Sequence, residues 1–142
     1  MGELPAQQPK DVTVLDMEAS IEHLTRGTVR NVDVLLVVTE PYYRSLETMG
    51  RMVPLAQELG VPLILGVANK VRSEQDAAAI RAYAARRAVE MVGVVPYDES
   101  VQAADREGRA LIDYAETAPA VLAVTDLADA LERRCLEPAP RA

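Results

Sequence analysis

Four Val-rich apolar runs, at residues 12–15, 34–38, 63–68 and 92–95, start 22, 29 and 29 residues apart (12 to 34, 34 to 63, 63 to 92). They are apolar on both faces instead of alternating, the pattern of strands covered on both sides, as in parallel sheets. Three follow a turn or polar signal: Asp33, Gly60-Val61-Pro62 and Glu90. A strand–helix–strand unit takes about 30 residues, so the spacing leaves room for one helix between successive strands. The predicted class is α/β, a three-layer or open sandwich built on a mainly parallel sheet of about four strands.

The intervening segments carry helical stripes. Leu46, Met49, Val53 and Ala56 form one. Pro54 interrupts it and would clash with the carbonyl of Gly50, which predicts a kink or a late start. Ser73 is placed to cap a second helix running to about residue 89, with Asp76 in its first turn and Ala77, Ile80, Ala84 and Ala88 on its buried face. A last helix is predicted over 119–136, capped by Thr117, with Val124, Leu127, Leu131 and Cys135 as its stripe. That places Cys135, the only cysteine, in the core. Residues 1–10 and 137–142 carry Pro without apolar period and read as a flexible arm and tail around a single domain over 11–136.

Composition narrows the function classes. The 142-residue chain has 22 acidic against 15 basic residues and a net charge of -7. This argues against nucleic-acid binding, which needs positive charge to displace phosphate counterions. A lone cysteine excludes an internal disulfide and fits a reducing, cytoplasmic setting. No apolar stretch approaches the roughly 18 residues of a membrane helix.

In an open parallel sheet, ligands bind outside the carboxyl ends of the strands. Here the four runs end in Asp16, in Thr39-Glu40-Pro41, in Asn69-Lys70 and in Pro96-Tyr97-Asp98. Polar residues commonly terminate strands, but four such ends on one edge favour a site. Asp16 can hold Mg²⁺ through water or orient an attacking water. Asn69 offers a donor and an acceptor, enough to read a purine edge. Guanine readers usually place an acid two positions beyond the Lys; that position is Arg72, so adenine is preferred. Glu22 and the only histidine, His23, leave three readings open: proton transfer, metal binding with a third ligand, or hydrogen bonding at a helix start or subunit interface. A receiver-like phosphoacceptor domain also uses Asp, Thr and Lys at strand ends, but its Lys precedes Pro, and Lys70 precedes Val71.

The segment DMEASIEHLTRGT (residues 16–28) resembles the nickel-insertion ATPases of carbon monoxide dehydrogenase, the CooC type, within the MinD/ParA group of P-loop ATPases. The family pattern is D-x-E-A-G-I-E-H-L-x-R-G-T, and Ser20 is the one departure. VDVLLVVTEP (32–41), LAQELG (55–60), NKV (69–71) and GVVPYD (93–98) follow in the family order. The resemblance spans about residues 10–115. It implies ATP or ADP with Mg²⁺ as cofactors, Asp16 as the Mg²⁺- and water-organising carboxylate, and Asn69 and Lys70, with Pro96 and Asp98, around the base. Ser20, Glu22, His23 and Arg26 would fall in the switch segment near a dimer face.

Two departures bear on activity. No G-x-x-x-x-G-K-[ST] loop occurs in the sequence, nor does the family's nickel-binding Cys-x-Cys. Ser20 also replaces the Gly whose missing side chain lets the backbone approach the γ-phosphate. An autonomous ATPase is therefore not expected. The expectation is a partial MinD-like unit that pairs as a homodimer or with a P-loop-bearing chain and serves a metalloenzyme client. The alternative is an interaction module without nucleotide. In this group the P-loop strand lies between those corresponding to 12–15 and 34–38, so these two must pair directly or leave a slot. The sheet face away from the crossover helices needs the last helix or a partner to cover it.

Overall fold

A computed structural model describes residues 11–17, 24 and 31–136. The predicted arm and tail, and Ser20, Glu22, His23 and Arg26, lie outside these residues. The elements run β1 (Val34–Thr39), α1 (Tyr43–Glu58), β2 (Leu63–Val71), α2 (Glu74–Ala85), β3 (Glu90–Pro96), α3 (Glu99–Arg106), α4 (Leu111–Tyr114) and α5 (Pro119–Leu136). The strands form one parallel sheet in the order β1-β2-β3.

The sheet has three strands, not four. Residues 12–15 form none, and Val14 is 85% exposed. A strand is a pairing as much as a propensity, since its backbone groups must meet those of a neighbouring strand. Among the described residues β1 pairs only with β2, so 12–15 and β1 do not pair directly.

Pairing of Leu36 with Leu65 and of Val37 with Gly66 puts alternate residues on opposite faces. One face carries Val37, against which Met49 and Val53 of α1, Ala84 of α2, and Val89 pack. The other carries Val67 and Val95, covered by Ala120, with Ala123 and Leu127 alongside. The result is a three-layer sandwich, α1 and α2 on one side, α5 on the other. α5 lies along β3, and a Cβ at Gly93 would meet Leu127 Cδ1 at 3.0 Å. On the β1 side of this face Leu36 packs against the cluster, whereas Val38 is 56% exposed.

Half of the predicted stripe of α5 is met: Leu127 packs on the sheet and Leu131 is half-buried. Ala120, Ala123 and Leu127 face the sheet, whereas Val124 and Cys135 are exposed. Leu127 lies against Gly93, and Arg134 near the end of the helix ion-pairs with Glu90 at the start of β3. Cys135 is thus a surface thiol, not core. α1 neither starts late nor breaks at Pro54. The proline lies on its exposed side, where water can serve the Gly50 carbonyl, and Met49, Met52, Val53 and Ala56 are buried opposite.

α2 begins as predicted: Ser73 Oγ accepts from Asp76 N at 3.1 Å. It ends earlier, at Ala85, and Ala88 leaves the predicted buried face for a left-handed φ of 55°. The bonds Ala88 N–H to Ala85 O and Val89 N–H to Ala84 O make a Schellman cap. α1 and α3 end in the same pair of bonds, with Gly60 and Gly108 in the left-handed position. Only α2 puts a Cβ there. Ala88→Gly is expected to raise stability by about 0.5–1 kcal/mol, read as a higher midpoint in urea unfolding; a lower midpoint would show that the strain lies elsewhere.

Candidate functional site

The carboxyl edge of the sheet is held by three cross-links between neighbouring elements. The first joins β1 to β2. Thr39, the one buried polar residue among those described, lies 3.1 Å from Ser45 Oγ, which also accepts from Glu40 N at 2.8 Å. This shapes the turn into α1. Glu40 Oε1 then meets Lys70 Nζ at 2.9 Å, and the hydrogen bond and negative charge of Glu40 hold the Lys70 ammonium above its ordinary pKa. The pair is largely solvated, so it orients more than it stabilises.

Lys70 reaches Glu40 because the backbone bulges. Ala68 pairs with Val94 and Val71 with Pro96, so Asn69 and Lys70 together oppose the single residue Val95. Lys70 takes the extra length with φ 54°. Bulges next to sites re-aim side chains, and this one turns the Asn69–Lys70 pair at the end of the central strand. Asn69 is half-buried, and its amide makes no hydrogen bond to any described residue.

The second cross-link joins β2 to β3. The Arg72 guanidinium lies 3.5 Å from the centroid of the Tyr97 ring, a cation–π contact. Tyr97 is fixed by its N–H to Val71 O at 2.9 Å and by a bond from Gln102 Nε2 to its hydroxyl at 3.1 Å.

The third joins β3 to two helices. Asp98 Oδ1 accepts from Ser100 N at 2.9 Å, capping α3, and Oδ2 accepts from Ala120 N at 3.0 Å, in the first turn of α5. The Ala120 N–H, then that of Ser100, hold the carboxyl below the usual carboxylate range. Asp98 does for α5 what Thr117 was predicted to do. Residue 118, which precedes Pro119 at the helix start, is alanine and has no side-chain acceptor.

The structure therefore gathers Asn69, Lys70, Pro96 and Asp98 at one edge. Asp16 is exposed in a segment without regular structure, and the next residue, Met17, packs against the cluster of Leu24, Met52, Ala56 and Val61. Sequence reasoning missed the Arg72–Tyr97 stack and the Glu40–Lys70 pair, whose partners come together only through strand register. Among the described residues no group of three or more His, Cys, Asp or Glu side chains could hold a metal ion, and no helix is long and apolar enough to cross a membrane.

This fold is that of MinD/ParA-type P-loop ATPases. The chain superposes on a ParA family ATPase of Chlorobium tepidum with a TM-score of 0.64 at 21% identity, over 80% of this chain and 46% of that one. On the MinD cell division protein of Aquifex aeolicus the TM-score is 0.62 at 21% identity, over 81% of this chain and 49% of that one. In sequence it is 40% identical over 104 residues to the carbon monoxide dehydrogenase accessory protein CooC of Rhodospirillum rubrum, covering 73% of this chain and 39% of CooC. It is 36% identical over 121 residues to an ATP-binding protein of Methanocaldococcus jannaschii, 84% of this chain and 47% of that protein. No family model matches the chain. The similarity to CooC and to MinD/ParA ATPases is thus one of partial length, and the chain spans less than half of these curated relatives.

Proposed function

We propose that this chain forms the base-binding part of an ATP-dependent protein of the CooC type, acting in nickel insertion into carbon monoxide dehydrogenase. The observation that carries the reading is the 40% identity to CooC over 104 residues. Asn69 supports it: an unpartnered amide, half-buried, on a bulge at the carboxyl end of the central strand, beside Pro96. An amide of this kind can pair with adenine N6 and N7. A solved MinD from Pyrococcus horikoshii with a TM-score of 0.61 holds Mg-ADP. Asp16, the carboxylate expected to organise Mg²⁺ and water, is exposed in a segment without regular structure. The phosphate side would have to come from a P-loop-bearing segment, which these 142 residues do not hold.

A second reading has its own observation. Lys70 is paired with Glu40 and both Asp98 oxygens are used as caps, as in a module that kept the fold for protein interaction and lost the ligand. Titration of the ¹⁵N-labelled chain with Mg-ATP separates the two. The nucleotide reading expects shifts at the Asn69 side-chain amide and around Pro96, and an affinity about tenfold weaker in Asn69→Ala with an unchanged melt. An Asn69→Ala affinity equal to wild type would remove Asn69 from the site, and no shifts at all would favour the interaction module.

A further inference from the structure

From the uncovered flank of α5 and the free edge of β1 we infer a docking surface for a strand–helix unit of another polypeptide, one that carries the rest of a MinD/ParA-type fold. The inference rests on the reading above, in that this unit would bring the phosphate side to the Asn69 edge.

α5 has two apolar sides. Ala120, Ala123 and Leu127 lie on the sheet. Beside them, further round the helix, run Val121, Val124, Ala128, Leu131 and Cys135. Their spacing alternates between three and four residues, the period of a seam between two helices, and none is charged. Val121 and Leu131 are half-buried, Ala128 and Cys135 are exposed, and Val124 is 52% exposed. On the other flank Ala130, Arg133 and Arg134 line a cavity with Glu90, Met91 and Val92, all of β3. That flank therefore looks outward from the sheet, and the seam looks across β2 toward β1.

The place it faces is one helix wide. α5 lies along β3, and β1 is two strands away. Two strand spacings are about 10 Å, close to the distance at which helices pack side by side. The floor is Leu36, half-buried, and Val38. β1 is also open at its edge: among the described residues it pairs only with β2. Its sequence, VLLVVT, has no charge or proline to block a further strand. The two open surfaces adjoin, so one strand on β1, joined to one helix in the groove, covers both.

A second copy of this chain fits poorly. Twofold packing of α5 on its own seam would turn the outer face of each helix, with Asp129 and Glu132, onto Val38 of the other copy. Burying unpaired carboxylates is costly. A helix with one apolar and one polar side has no such conflict. The fold offers a source for it: 80% of this chain superposes on 46% of the Chlorobium tepidum ATPase, so more than half of that protein lies outside the match.

The test co-expresses the chain with the part of Rhodospirillum rubrum CooC that it does not match, the match covering 39% of CooC. The complex is measured without nucleotide, by size-exclusion chromatography with light scattering and by titration. Wild type is expected to form a complex holding one copy of each chain. Val124→Glu and Val38→Glu put a charge in the groove and are each expected to weaken it by about tenfold or more. Leu122→Glu, on the outer side of α5, is expected to leave it unchanged. All three positions are exposed, so the variants are expected to melt close to wild type. No complex with wild type, an unchanged affinity in both groove variants, or an equal loss in Leu122→Glu overturns the docking surface. So does a wild-type homodimer that Val124→Glu dissolves. The Mg-ATP titration reports separately: shifts at Asn69 without a complex leave the nucleotide reading standing, and a complex without those shifts leaves the docking surface standing.

Discussion

Asp98→Ala is expected to cost about 2 kcal/mol and to lower the melting temperature by roughly 10 °C, because one carboxylate caps two helices and each lost cap costs about 1 kcal/mol. The bonds involved are those from Ser100 N at 2.9 Å and Ala120 N at 3.0 Å. The second spans 22 residues, so the substitution also loosens the seating of α5 on β3. Asp98→Asn keeps one acceptor oxygen and is expected to lose about half as much. The pair has a pH signature. The Ala120 and Ser100 N–H groups lower the folded pKa of Asp98 below its ordinary value of 3.8. Its contribution is therefore complete above that value and is lost as pH falls through the folded pKa. Melting curves from pH 7 to pH 2.5 should show the gap between wild type and Asp98→Asn narrowing only below about pH 4. A gap that is constant across this range would mean that the charge contributes nothing to either cap.

Met49→Ala is expected to be the most damaging core truncation of α1, by about 2–5 kcal/mol. Met49 is 0% exposed and belongs to the cluster with Val37 of β1, Val53 of its own helix, Ala84 of α2, and Val89, which precedes β3. With a total stability of about 5–15 kcal/mol for a domain of this kind, such a loss leaves a chain that unfolds at low urea. Met49→Leu conserves volume and is expected to cost less than about 1.5 kcal/mol. Leu122→Ala, on the exposed side of α5 at 53% exposure, is expected to cost well under 1 kcal/mol. A Met49→Ala midpoint within error of Leu122→Ala would show that the α1 layer does not carry the core.

What could be read along the chain was local. The strands at 34–38, 63–68 and 92–95 form where their apolar runs lie, each extended by one to three residues, because β-branched residues on a doubly covered sheet need only a neighbour on each face. The Ser73 cap was legible because its partner, Asp76, is three residues away. The candidate edge was legible in part: Asn69, Lys70, Pro96 and Asp98 end strands that do pair. Their actual bonds were not, since Lys70–Glu40, Arg72–Tyr97 and Asp98–Ala120 join residues 30, 25 and 22 positions apart.

The α/β class and the succession β1, α1, β2, α2, β3 and the last helix follow from the sequence by itself, through hydrophobic period and strand spacing. Tertiary structure decided the rest. It withheld a strand from residues 12–15, although three of the four are apolar. It set Ala120 and Ala123 beside Leu127 on the sheet and left Val124 and Cys135 of α5 exposed. It made Asp98 a double cap. In each case the deciding interaction joins segments remote in the chain, so its strength depends on register and approach, which no local pattern encodes.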